Sequence, residues 1–180
     1  MTKAYHHWEK LEKPDPNTYG SLLFNLGMVN NNLGLSLNME KKEIAYQYFT
    51  KAIEYLPNDP ETLYWLIHSG HNAQKFRELD ELLEQLEEIL PKTPNTHLLK
   101  EYNKLITGKA IDTAKIKLII NLKNTGRIDI HNSLQDTIAI MEFVNKHPIG
   151  EEITQDQFLR DLQSVTGLTI EETLRLKLFL

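Results

Sequence analysis

Apolar residues recur along this chain at intervals of three and four, interrupted by short breaks rich in Pro, Asn, Asp and Gly. The breaks fall at Lys13–Asn17, Asn32–Glu40, Pro57–Pro60, Pro91–Pro94, Thr107–Lys109, Asn124–Arg127 and His147–Ile153. Between them the periodicity predicts helices of about 10 to 17 residues. No stretch shows the alternation of a half-buried strand, and only the weakly apolar Arg127–Ile130 suits an extended conformation. Two late helix starts carry capping-box pairs, Thr154 with Gln157 and Thr169 with Glu172. The pattern predicts an all-α protein.

A comparison of the chain with itself adds a period. Pro57 and Pro91 each close a helix that follows a matching turn. Ala45, Phe49 and Ala52 before Pro57 correspond, at the spacing of the two prolines, to Leu79, Leu83 and Leu86 before Pro91. The first unit also carries Leu26-Gly27, Asn30 and Leu33-Gly34, and the second carries Leu63, Leu66, Ile67 and Gly70. In its period of about 34 residues and in this run of large, small and aromatic residues, the chain resembles the tetratricopeptide repeat family. Asn30 stands where that family usually has an aromatic, and extra residues around Leu35–Glu40 lengthen the first inter-helix turn. The second unit lacks the small alanines. A third unit begins at Pro94, where strict register would bury Lys100 and Lys104, so its stripe shifts to Leu98, Tyr102 and Leu105 with Leu99 and Ile106.

The resemblance implies a short α-solenoid of antiparallel helical hairpins, in which a small residue such as Gly27 or Ala45 admits a neighbouring helix and Phe49 fills the adjoining gap. A single hairpin cannot bury its apolar face, so stacking supplies the core and the ends require caps. The segment from about Lys109 to Lys123 is apolar on most sides (Ile111, Ala114, Ile116, Leu118, Ile119, Ile120, Leu122) and reads as a buried capping helix. The expected organisation is an N-terminal segment at 1–17 able to form a helix, repeats and capping helix at 18–127, and a three-helix subdomain at 128–180. Stripes at Leu134, Ile138, Met141, Val144, then Phe158, Leu159, Leu162, Val165, then Ile170, Leu174, Leu178 define that subdomain. The terminal Phe179-Leu180 is expected to be buried in this chain or a dimer.

Composition narrows the chemistry. There is no cysteine, so disulfides, Cys-ligated zinc and thiol catalysis are excluded. A net charge of −5 offers no general attraction to nucleic acid or anionic lipid. Neither a secretory signal nor a membrane span is evident, and a cytoplasmic protein is the expectation. No phosphate-binding Gly-rich loop, His-Glu-x-x-His or Gly-x-Ser-x-Gly motif occurs, and no carboxylate pair stands out. No enzyme activity, cofactor, metal site or small-molecule substrate is expected. Thr154–Leu180 invites a helix-turn-helix comparison, and DNA binding through this helix pair is the least favoured reading, because Glu171 and Glu172 open the second helix where DNA phosphates would sit.

Charge is segregated: Glu78, Asp80, Glu81, Glu84, Glu87, Glu88 and Glu101 precede Lys104, Lys109, Lys115, Lys117, Lys123 and Arg127. Solvated helix faces account for this, and a basic patch for an acidic partner is the alternative.

The resemblance also implies that the first helix of each hairpin lines a concave groove. That places Phe24, Met28, Asn31, Tyr64, His68 and His71 on the groove, with Leu98 and Tyr102 continuing it. Aromatic and methionine side chains offer broad apolar contact, while asparagine and histidine can bind a peptide backbone. The family's carboxylate clamp uses lysine, asparagine and arginine in this groove to grip a chaperone's terminal carboxylate; the corresponding sites here, Phe24 and Met28 among them, are not basic, which argues against a chaperone-tail adaptor. His68 and His71 share a helix face, but without a third ligand at a suitable spacing they read as polar groove residues. The implied function is a protein–protein interaction module, adaptor or chaperone-like, holding an apolar or amphipathic segment of a partner. The alternative is a regulatory or assembly component whose groove is filled by its own C-terminal helices, or which self-associates through them.

Overall fold

The computed structural model describes residues 15–33, 38–91 and 93–146, together with Arg160. The capping pairs at Thr154 and Thr169, the stripes beyond Lys146 and the terminal Phe179-Leu180 lie outside the described residues. Among those described, every regular element is helical and no strand occurs. No helix there is long and apolar enough to cross a membrane.

With bounds inside the described stretches, seven α-helices follow in order: α1 (Pro16–Leu33), α2 (Met39–Tyr55), α3 (Pro60–Asn72), α4 (Asp80–Ile89), α5 (Pro94–Ile106), α6 (Thr113–Asn124) and α7 (Gln135–Lys146). Short 3-10 turns precede α4 at Phe76–Glu78 and α7 at Asn132–Leu134. Their starts are chemically marked. Asp15 accepts from the Thr18 backbone and hydroxyl, and these bonds hold its carboxyl below the usual aspartate range. Asn38, Asp59 and Asp112 accept from the backbone N–H three residues on, at 3.2, 2.7 and 3.0 Å, opening α2, α3 and α6. Pro60 and Pro94 sit in the first turns of α3 and α5, where no backbone donor is needed.

The chain divides into two compact units, Met1–Pro91 and Lys92–Leu180, so α5 and α6 group with α7 rather than with the first four helices.

In the first unit α1 and α2 form an antiparallel pair. Tyr19 near the start of α1 meets Tyr55 at the end of α2, ring centroids 4.9 Å apart, while Gly27 further along α1 faces Phe49. A Cβ on Gly27 would stand 2.8 Å from Phe49 ring carbons, so the close approach depends on glycine. Ala52 is fully buried beside Leu23 and Leu26, and Ala45, Phe49 and Leu66 carry the core across to α3. Burying a Phe side chain this completely contributes about 1.5–3 kcal/mol. The turn into α4 is fixed from outside: Lys75 pairs with Glu43 at 3.2 Å, and the Tyr46 hydroxyl donates to Glu78 at 3.2 Å. Burial, then the Glu78 charge and the bond to it, push the Tyr46 phenol up to about 12.

In the second unit α5, α6 and α7 pack together, with Leu98, Leu99, Tyr102, Ile106, Ile116, Ile119, Leu134, Ile138 and Met141 buried. Lys100 and Lys104 keep partial exposure. Glu101 is buried, and its carboxylate accepts from the Lys104 ammonium and the Asp112 backbone N–H, each at 2.7 Å. That carboxylate ties the end of α5 to the start of α6. The expectation of a buried capping helix around 109–123 is corrected here. Only Ile116 and Ile119 of α6 are buried, and Leu118 is 56% exposed. Asp112 caps the helix, which starts at Thr113 and presents one narrow apolar stripe to its unit.

Candidate functional site

The α1–α3 face of the first unit gathers most of the residues that the sequence marks. The fully buried Leu63 and Ile67 fix which side of α3 turns inward, leaving Tyr64, Trp65 and His68 half-buried on the other side. On α1 the buried Leu23, Leu26 and Gly27 set the register in the same way, and Phe24 and Met28 stay partly exposed. Phe24, Met28 and Trp65 all pack on the cluster of Ala45, Phe49 and Leu66, which supplies a rigid floor beneath them. The Phe24 and Phe49 rings meet edge-on at 5.6 Å.

Three side chains of α3 form an aromatic group. Tyr64 and Trp65 meet edge-on at 5.6 Å, Trp65 and His68 at 5.2 Å, and the His68 ring stacks on Tyr64 with centroids 6.4 Å apart. A polar link crosses between the helices: the Asn72 amide donates to the Asn31 side-chain oxygen at 3.4 Å and lies 3.4 Å from His68 Nδ1. Both contacts are long for hydrogen bonds, so they orient the amides more than they bind the helices. Phe24, Met28, Asn31, Tyr64, Trp65, His68 and Asn72 include no formally charged side chain apart from what protonation gives His68.

The remaining candidates are buried rather than displayed on this face. Asn31 is only 4% exposed, so its side chain belongs to the link with Asn72 rather than to an open surface. His71 is buried and packs on Phe76 at 5.9 Å, facing the turn that leads to α4. Leu98 and Tyr102 lie on α5 in the second unit, both buried. Trp65 and Asn72 are the members that sequence reasoning missed. Their signal was present: positions 65, 68 and 72 fall on one helix face, the side away from Leu63 and Ile67.

His68 and His71 thus point to different neighbours, and among the described residues no group of three or more His, Cys, Asp or Glu is placed to hold a metal ion. The Ser69 hydroxyl is buried and donates to the Leu66 carbonyl at 2.9 Å. The arrangement offers apolar area, ring faces and amide groups, with no nucleophile–base pair described on it.

Comparison of the chain with protein-family models, curated proteins and solved structures returned no match.

Proposed function

We propose that the chain is a protein–protein interaction module, and that the α1–α3 face of its first unit receives an apolar or amphipathic segment of another protein. The observation that carries this reading is the half-buried group of Phe24, Met28, Tyr64, Trp65 and His68, in which Phe24, Met28 and Trp65 pack on the buried Ala45, Phe49 and Leu66 and no member is a carboxylate, lysine or arginine. Large rings already fixed by packing lose little freedom when a partner covers them, which is why such residues serve as interface anchors.

A tetratricopeptide-like arrangement of the hairpins belongs to this reading. The spacing of Pro57 and Pro91, the Gly27–Phe49 approach and the contact of α1 with α3 support it, since the first helices of successive hairpins are neighbours in a stacked repeat. The apolar character of Phe24 and Met28 favours an uncharged or amphipathic segment over an acidic tail.

The test is site-specific photo-crosslinking in the producing cell, with the crosslinker at His68 and, as a control, at the exposed Glu54 of α2. Adducts to a second protein from His68 alone are expected. Adducts from His68 to residues 147–180 of the same chain would establish the self-covered alternative. Equal labelling from both positions would remove the α1–α3 face as the site.

A further inference from the structure

Two helices of this chain carry outward faces of opposite charge. On α6 the exposed residues Ala114, Lys117, Leu118 and Asn121 fall at helical spacing, Lys115 flanks them, and Arg127 lies just past the helix end. No carboxylate occurs within α6. On α4 the exposed residues Glu81, Glu84 and Glu88 fall on one face, and α4 holds no lysine or arginine. None of Lys115, Lys117, Glu81, Glu84 and Glu88 has a side-chain ion pair or hydrogen bond among the described residues.

Each face is therefore costly alone. Glu84 and Glu88 stand one turn apart on the same side of α4, a like-charge spacing that destabilises a helix. Leu118, at 56% exposure, leaves apolar area in water beside Lys117. A helix face with carboxylates at this spacing would relieve both, pairing with Lys115 and Lys117 and covering Leu118 with the aliphatic part of its side chains.

We infer that the outward face of α6 docks the outward face of α4 of a second copy of this chain. The two surfaces differ, so the contact is heterologous: each copy gives one α4 and one α6, and association continues head to tail unless a ring closes. The net charge of −5 makes copies repel in general, so only the local opposition of the two faces drives contact, and salt abolishes it.

Sedimentation velocity of the full chain over a concentration series tests this. The weight-average mass rises with concentration at about 10 mM salt and returns to the monomer at about 1 M, where the screening length has shrunk roughly tenfold. Lys115→Glu with Lys117→Glu gives a monomer at low salt, as does Glu81→Lys with Glu84→Lys and Glu88→Lys. Mixing these two variants restores association, because the reversed faces now complement each other. All five positions are at least partly exposed, and circular dichroism checks that the variants fold. Tyr64→Ala leaves the association unchanged, which separates this contact from the α1–α3 face. A chain that stays monomeric at low salt overturns the inference. So does association that survives charge reversal or 1 M salt, or a mixture of the two variants that stays monomeric.

Discussion

Gln74 and Gly108 occupy the same place in two helix-ending turns, after α3 and after α5, and both have left-handed backbones, with φ of 61° and 71°. After Gln74, the Lys75 N–H reaches back to the Gly70 carbonyl at 2.8 Å; after Gly108, the Lys109 N–H reaches the Lys104 carbonyl at 2.8 Å. The paired bonds Gln74 to His71 and Gly108 to Leu105 complete the same glycine-type cap in each. Gly126 repeats it after α6. Gln74 is the position where glycine is missing, and a side chain there carries steric strain. Gln74→Gly should raise stability by about 0.5–1 kcal/mol, the relief of strain being partly offset by glycine's freer unfolded state. Chemical denaturation reads the midpoint; a fall would contradict the shared turn geometry.

The second prediction concerns the seam between α1 and α2. Ala52 is fully buried against Leu23 and Leu26. Ala52→Leu should overpack this contact and cost about 1–3 kcal/mol. Thr50→Leu, at an exposed position of the same helix, serves as the control and should stay within about 0.5 kcal/mol of the native chain. Equal midpoints for the two variants would mean that Ala52 does not mark the close approach.

Several features of this fold were legible in the sequence because they depend on local chemistry. Pro57 and Pro91 end helices by backbone geometry, and the small residues Gly27, Ala45 and Ala52 are all buried, Gly27 where a Cβ would press on the Phe49 ring. The face of α6 was not legible, because counting apolar residues around a helix does not reveal which of them find a partner. Ile116 and Ile119 do, and Leu118 does not. The candidate site was partly legible. Phe24, Met28, Tyr64 and His68 share the half-buried face, but helical spacing from Tyr64 and His68 points equally to His71, which packs on Phe76, while the face itself runs through Trp65 and Asn72. One residue along a helix is a rotation of about 100°, enough to carry a side chain from an open face to a packed one.

The third prediction is alkaline. The Tyr46 phenol is pushed up to about 12, by burial first and by Glu78 second. A raised folded-state value favours the protonated form, so its contribution is fully present below the ordinary tyrosine value of about 10 and is lost as pH rises towards 12. Tyr46→Phe removes this component. Its stability should therefore fall less steeply than the native chain's across that window, as read by denaturation midpoints at a series of pH values. Parallel profiles would show that the phenol does not titrate between its burial and Glu78.

The most direct measurement of the central claim is a binding titration of the protein recovered by crosslinking from His68. Native chain and the Met28→Ala, Tyr64→Ala double variant are each titrated at low and high salt. Tyr64 and Met28 stand on the α1–α3 face. Losing an interface anchor of this kind costs about 2 kcal/mol or more. Since about 1.4 kcal/mol corresponds to a factor of ten, the double variant should bind more than tenfold more weakly. The face carries no lysine, arginine or carboxylate among the residues named, so the native affinity should change little with salt. Undiminished binding by a folded double variant, or an affinity that collapses as salt rises, would contradict an apolar docking face on α1 and α3.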